Sequence, residues 1–198
     1  MTDVSNESVR ALSGRRVIVG LSGGIACYKV ATVVSRLAQA GAAVTVAMTE
    51  AASRFIAPLT FQALSGRPVY TSPWDHIESN DPQHIALARA AEIMLIAPCT
   101  MDMLARLATG RADDVVSLIA SAIDLKRQPI LLAPSMNEVM YLQPSTQRNL
   151  AQLRADGFGI IDPGEGWQAC RTVGKGRMAE PEEILAMMAA TLTPPASS

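Results

Sequence analysis

Apolar residues fall into short continuous runs that alternate with longer, alanine-rich stretches. The runs at 16–21 (RVIVGL), 43–48 (AVTVAM), 93–97 (IMLIA) and 130–133 (ILLA) lack polar alternation, which is typical of strands buried on both faces. Shorter strands are predicted at 68–70 and 159–161. Helices are predicted at 25–40, 51–66 (interrupted at Pro58), 84–91, 101–109, 112–124, 138–141, 145–156 and 181–191, with a polar loop at 71–83. The alternation predicts a Rossmann-like, flavodoxin-type, doubly wound parallel sheet in a three-layer α/β/α arrangement.

The 198 residues of the chain are enough for one domain. We expect this domain to span residues 15–192, between disordered tails at 1–14 and 193–198. A net charge of -1 and 4% aromatic residues argue against nucleic-acid and membrane partners. Three cysteines without a CxxC pair, and no stretch typical of a signal peptide or a membrane span, favour a reducing cytoplasmic location without a bound metal. The 49% apolar content suggests that some apolar surface is buried between subunits of a homo-oligomer.

Candidate chemistry lies at the carboxyl ends of the predicted strands, where ligands of such sheets bind. After the first strand, Ser22-Gly23-Gly24-Ile25 leads into a helix, an arrangement that favours an anion held by backbone N–H groups and a serine hydroxyl. The spacing matches neither GxGxxG nor a P-loop, and a plain tight turn is the alternative. Thr49 follows the second strand and could donate to the same anion or simply begin a helix.

The third and fourth strand ends carry small polar side chains. Thr100 and Asp102 either cap a helix or hold a ligand, whereas Asp113 and Asp114 are most simply capping residues. Asn137 lies where a substrate would lie and could equally cap the next helix. His84 opens the helix before the third major strand and could have only that role.

Residues 164–178 (GEGWQACRTVGKGRM) are too long and glycine-rich for a mere connection, and loops of this kind often close over a site. Cys170 lies among basic residues that would favour its thiolate. An ordinary exposed cysteine is the alternative.

In combination and in this order, the segments SGGIACYK, MTEAASRFIAPLTFQALSG, HIALARAAEIMLIAP, LARLATGRADD, APSMNEVM and ACRTVGKGRMAEP resemble the flavin-dependent cysteine decarboxylases, over about residues 15–190. Within them, the enzymes of coenzyme A biosynthesis that act on 4'-phosphopantothenoylcysteine are the most similar. The resemblance implies non-covalently bound FMN at a subunit interface in trimers or dodecamers. It also implies a synthetase that makes the substrate and that is often fused to the decarboxylase domain. The synthetase domain is not expected in these 198 residues, so a separate synthetase chain is a possible partner.

Site roles are carried over from this resemblance. The FMN phosphate would be held by Ser22, Gly23, Gly24 and Thr49, and the rest of the cofactor site would include Ile25, Phe61, Cys99, Thr100 and Asp102. His84 would be the active-site histidine, Asn137 would bind the substrate carboxylate and Cys170 would donate a proton. Substrate contacts are further expected from Met136, Met140, Lys175 and Arg177.

The chain departs from the family at two of these places. Arg171 follows Cys170, where the family usually has glycine, and the turn at 99–102 (CTMD) partly resembles that of the flavin prenyltransferases.

The implied reaction is redox-neutral. Oxidised FMN takes a hydride from the cysteinyl β-carbon to give a thioaldehyde, and carbon dioxide leaves to give an ene-thiolate. Reduced FMN then returns the hydride and an acid delivers a proton, which gives the aminothiol. Two other enzymes remain as alternatives: a flavin prenyltransferase, and a peptidyl-cysteine oxidative decarboxylase that would not need Cys170. A non-catalytic FMN-binding regulatory subunit would be expected to lose His84, Asn137 or Cys170, and all three are present.

Overall fold

The computed structural model describes residues 9–74, 82–167, 169 and 171–193. Six parallel strands form the central sheet in the order β3-β2-β1-β4-β5-β6. These strands are β1 (Arg16–Leu21), β2 (Ala43–Met48), β3 (Val69–Tyr70), β4 (Ile93–Cys99), β5 (Ile130–Pro134) and β6 (Gly159–Ile160). The doubly wound parallel sheet predicted from the sequence is confirmed, and the direction of winding reverses between β1 and β4.

Helices cover both faces of the sheet. They are α1 (Cys27–Gln39), α2 (Glu50–Ser53), α3 (Pro58–Ser65), α4 (Gln83–Ala90), α5 (Met101–Ala108), α6 (Val115–Ser121), α7 (Glu138–Leu142), α8 (Pro144–Ala155) and α9 (Pro181–Leu192). Within the described ranges, no helix is both long and apolar enough to span a bilayer.

Two apolar cores lie on opposite faces of the sheet, because alternate residues of each strand point to opposite sides. Val17, Val19 and Leu21 belong to one core, whereas Ile18 belongs to the other. Every residue of β4 and β5 is buried, which accounts for their uninterrupted apolar sequence.

Local sequence explains most helix boundaries. The predicted break at Pro58 separates α2 from α3, where Pro58 occupies the first turn and Gly66 ends the helix with a φ of 67°. The helix expected at 112–124 begins only at Val115, because the carboxylate of Asp114 accepts the N–H groups of Val116 and Ser117 as its cap.

Two segments differ from the sequence-based expectation. Leu12 is fully buried in the core, so the ordered chain begins before the boundary predicted at residue 15. The segment expected to be a loop forms an antiparallel hairpin, made of β7 (Gly164–Trp167) and β8 (Val173–Arg177). The hairpin stands apart from the central sheet.

Candidate active site

A cavity of about 1020 Å³ lies at the carboxyl ends of the central strands. Its walls come from the turns that follow β1, β2, β4 and β5, and from the hairpin. Among the predicted site residues, the lining includes Ser22, Gly23, Gly24, Ile25, Thr49, Thr100, Asp102, Met136, Asn137, Met140 and Arg177. The strand-end location predicted from the sequence is therefore where the structure forms its large cavity.

Ser22 ties the end of β1 to the end of β4. Its hydroxyl donates to the carbonyl oxygen of Pro98 at 2.6 Å and accepts the N–H of Thr100 at 3.0 Å. A hydroxyl carries a single proton, and this one is engaged within the protein. Ser22 therefore shapes the turn, whereas the sequence-based expectation was that its hydroxyl donates to an anion.

The anion-binding capacity of this turn lies in its backbone. In the described part of the chain, the N–H groups of Gly23, Gly24 and Ile25 have no protein acceptor. They line the cavity next to the first turn of α1, where the helix dipole also favours negative charge. Three unpaired donors at one cavity wall fit a phosphate group.

Gly23 is required by close packing. A Cβ at this position would lie 2.5 Å from the Cβ of Ala51 and 2.9 Å from its carbonyl carbon, so a side chain would separate the β1 turn from α2. A Cβ at Gly24 would meet nothing closer than 3.6 Å, at the methyl group of Thr100.

Thr49 caps α2, since its Oγ1 accepts the N–H of Ala52 at 3.1 Å. Its own hydroxyl proton can still be donated towards the cavity that it lines. Both sequence-based interpretations of Thr49 are therefore compatible with one another.

Charged residues on and beyond α5 form a paired network at the cavity wall. Thr100 caps the helix, and Arg106 binds Asp102 at 2.7 Å and also binds Asp113. The hydrogen bond from Arg111 lowers the pKa of Asp113, with desolvation opposing and Arg106 assisting. Asp113 is therefore held ionised and is a poor proton donor.

Asn137 is oriented by capping α7. Its Oδ1 accepts the N–H of Met140 at 2.8 Å, so the side-chain amide nitrogen keeps two protons that can be donated to a ligand. The cap and the ligand-binding role, which the sequence left as alternatives, use different atoms of the same side chain.

The hairpin is docked on the Asn137 turn through glycine. The N–H of Met136 donates to the carbonyl oxygen of Gly176 at 2.9 Å, and a Cβ at Gly176 would lie 2.4 Å from the carbonyl oxygen of Met136. The φ of Gly176 is +111°, a conformation that other residues rarely adopt. Glu138 accepts the N–H of Lys175 at 3.1 Å.

Arg171, in the turn of the hairpin, has a φ of 66°. Glycine adopts this left-handed conformation freely, which gives a physical reason for the glycine that the resemblance places there.

Four of the predicted site residues that the structure describes do not line the cavity. Phe61 and Cys99 are fully buried in the two cores, because the first lies on the inner face of α3 and the second in a strand covered on both sides. His84 is half-buried on α4, and the exposed Lys175 contacts Glu138 through its backbone; neither lines the cavity. Cys170 lies outside the described residues.

The two described cysteines are buried thiols. Burial strongly raises the pKa of Cys99, and desolvation, partly offset by backbone hydrogen bonds, raises that of Cys27. Both therefore stay protonated at neutral pH, away from any reactive role.

Sequence reasoning missed Lys29 and Trp167, which both line the cavity. Lys29 is spaced four and eight residues from the buried Val33 and Leu37, so a cation lies on the apolar stripe of α1. That spacing could have identified it. Trp167 could not be placed without knowing that its segment forms a hairpin.

Comparison with known proteins agrees with the cavity and the fold. The model of the Flavoprotein family matches residues 5–193. The chain belongs to the Flavoprotein family. The coenzyme A biosynthesis bifunctional protein CoaBC of Vibrio vulnificus is 44% identical over 179 residues. That match covers 90% of this chain but 44% of the relative, so the chain spans less than half the length of this curated relative.

Solved structures of flavoproteins share the fold. A PPC decarboxylase variant complexed with pantothenoylaminoethenethiol is 28% identical, with a TM-score of 0.81, covering 89% of this chain and 97% of that one. The FMN-dependent cysteine decarboxylase SpaF is 29% identical, with a TM-score of 0.76, covering 90% and 99% respectively.

Proposed function

We propose that this flavoprotein is an FMN-dependent decarboxylase that converts 4'-phosphopantothenoylcysteine into 4'-phosphopantetheine in coenzyme A biosynthesis. The observation that carries the proposal is a single cavity in which unpaired amides of an anion-binding turn and the amide of Asn137 line the walls beneath a docked hairpin. The similarity to CoaBC proteins and to a PPC decarboxylase supports the choice of substrate.

FMN would be held with its phosphate on the backbone N–H groups of Gly23, Gly24 and Ile25, and with a further hydrogen bond from the hydroxyl of Thr49. Bound FMN supplies hydride acceptance and return, chemistry that protein side chains lack. The cavity volume of about 1020 Å³ is at the upper end of common ligand sites, which suits a cofactor together with a substrate.

Asn137 would bind and orient the substrate carboxylate. Because its Oδ1 is fixed by the helix cap, its Nδ2 protons have a defined direction, and an acceptor-only carboxylate is their natural partner. Met136, Met140 and Trp167 supply apolar walls that exclude water around the carbon atom losing carbon dioxide.

The proton would be delivered to the ene-thiolate by a group outside the network of Arg106 with Asp102 and Asp113. Asp113 is held ionised, and the buried Cys27 and Cys99 do not line the cavity. The resemblance, rather than elimination among the described residues, assigns Cys170 as the proposed proton donor to the ene-thiolate.

His84 would reach the reaction from a second copy of the chain. It does not line the cavity formed by its own chain, although the resemblance gives it a role in the active site. A homo-oligomer, a trimer or a dodecamer built from trimers, is therefore part of the proposal, with the FMN site at the subunit interface. Exposed Ile25, Tyr28, Met140 and Trp167 beside the cavity offer apolar surface for such an interface. A cytoplasmic location completes the proposal.

The test is turnover of three substrates by the FMN-loaded protein. Phosphopantothenoylcysteine should release carbon dioxide with multiple turnovers. A peptide ending in cysteine, and FMN with a prenyl phosphate, should give no product. Turnover of either of those two in preference to phosphopantothenoylcysteine would overturn the proposal, and so would binding of FMN without any reaction.

A further inference from the structure

The positive charge of Lys29 lies where both burial and the helix dipole disfavour it. It lies in the first turn of α1, where the positive end of the helix dipole opposes a positive charge, and only 9% of its side chain is exposed. A buried ammonium group requires a partner to remain charged. Because Lys29 also lines the cavity, whatever holds its ammonium group sets the charge at that wall.

Glu180 holds Lys29 and a second cation from the hairpin. Its Oε1 accepts from Nζ of Lys29 at 2.9 Å and from Nη2 of Arg177 at 2.6 Å. Nζ of Lys29 also contacts the carbonyl oxygen of Met178 at 3.5 Å, just beyond the end of β8. One carboxylate at the start of α9 thus joins the first turn of α1 to the base of the hairpin.

The two cations meet the cavity from different elements. Lys29 approaches from α1 and Arg177 from β8, and both side chains belong to the lining. Their two positive charges are opposed by the single negative charge of Glu180, which leaves one net positive charge within this three-residue cluster. A positively charged part of the cavity wall favours the binding of an anionic substrate, provided that both cationic side chains are fixed in position.

We propose that Glu180 is a positioning residue that fixes Lys29 and Arg177 at the cavity wall and thereby fixes the base of the hairpin over the site. This inference rests on the proposed decarboxylase function for its substrate, and on the geometry alone for the hairpin. Glu180 does not itself line the cavity, so it acts through the two cations.

Glu182 provides a matched control. It also lies at the start of α9 and also binds a cation of α1, namely Arg36 at 2.9 Å, and its side chain is 49% exposed against 44% for Glu180. Glu182→Gln therefore removes the same charge from the same helix end, but it removes no contact with the cavity wall.

The experiment compares Glu180→Gln and Glu182→Gln by hydrogen exchange of the hairpin and by steady-state kinetics of the FMN-loaded enzyme. We expect Glu180→Gln to speed exchange of the hairpin amides at 173–177 and to raise KM about tenfold, while kcat and the flavin spectrum stay near wild type. Glu182→Gln should match wild type in all four measurements. With an active wild-type enzyme, the proposal is overturned if the two variants behave alike, or if only one of hairpin exchange and KM responds to Glu180→Gln.

Failure of the decarboxylase proposal would look different. Wild-type protein would then not turn over phosphopantothenoylcysteine at all, whereas hairpin exchange would still report on Glu180. An active wild type with an unchanged Glu180→Gln variant would contradict the positioning role alone.

Discussion

The hydroxyl of Ser22 donates to the carbonyl oxygen of Pro98 at 2.6 Å, across the two strands between which the sheet reverses its winding. This contact makes Ser22 a structural member of the site. Ser22→Ala should leave the N–H of Thr100 without its acceptor and destabilise the FMN-free protein by about 1–3 kcal/mol, as measured by urea unfolding. Unchanged stability together with weakened FMN binding would show that the hydroxyl serves the ligand.

Gly23 and Gly24 should respond differently to the same substitution. Gly23→Ala places a Cβ 2.5 Å from Ala51 and should lower FMN affinity at least about tenfold, because the turn and α2 must move apart. Gly24→Ala, whose Cβ has room, should bind FMN almost as wild type does. Fluorescence titration of FMN measures both, and equal effects would contradict the packing argument.

Asn137→Asp separates the cap from the ligand contact. An aspartate can still accept the N–H of Met140, so α7 should persist, but it offers oxygen and negative charge where the amide offered protons. We expect decarboxylation to fall on the order of 100-fold with an unchanged flavin spectrum. A variant with near wild-type kcat/KM would show that Asn137 is only a helix cap.

The hairpin was the part of the fold that the sequence could not predict. Strands of the central sheet are visible as apolar runs, and their predicted bounds agree with the structure within two residues. In β8 the buried positions are Gly174 and Gly176, so no apolar alternation marks the strand. Its position depends on hydrogen bonds of its backbone with the N–H of Met136 and with the carboxylate of Glu138, which are distant in sequence.

Only part of the candidate site could be predicted, because turns at strand ends are visible in the sequence whereas the packing of elements is not. Strand-end turns such as 22–25 and 135–137 are local features, and they line the cavity as expected. Whether Phe61 or Cys99 faces a ligand or a core depends on how the helices and strands pack, which sequence spacing does not determine. Both belong to the apolar cores.

Gly176→Ala should undock the hairpin. The new Cβ would lie 2.4 Å from the carbonyl oxygen of Met136, at a φ of +111°. We expect kcat/KM to fall about tenfold or more, since the strain is about 1–3 kcal/mol. Gly164→Ala, on the other strand of the hairpin, meets nothing closer than 4.0 Å and should be nearly neutral. Equal kinetics for both variants would contradict close docking.

His84 and Asn137 should complement each other between chains. His84→Asn and Asn137→Asp should each retain only about 1% of wild-type activity or less when assayed alone. A homo-oligomer assembled from equal amounts of both should regain about a quarter of wild-type activity, because one site in four combines an intact His84 from one chain with an intact Asn137 from another. No recovery in purified mixed oligomers would show that both residues must act from the same chain.

The proposed function depends on a redox-neutral decarboxylation. The most direct measurement is a single anaerobic turnover of phosphopantothenoylcysteine, following flavin absorbance and product mass together. We predict one carbon dioxide per substrate, flavin that ends oxidised, and a product with the mass of phosphopantetheine. A product lighter by two hydrogen atoms with the flavin left reduced would contradict this account and indicate an oxidative decarboxylase, and unchanged substrate would contradict the decarboxylase assignment itself.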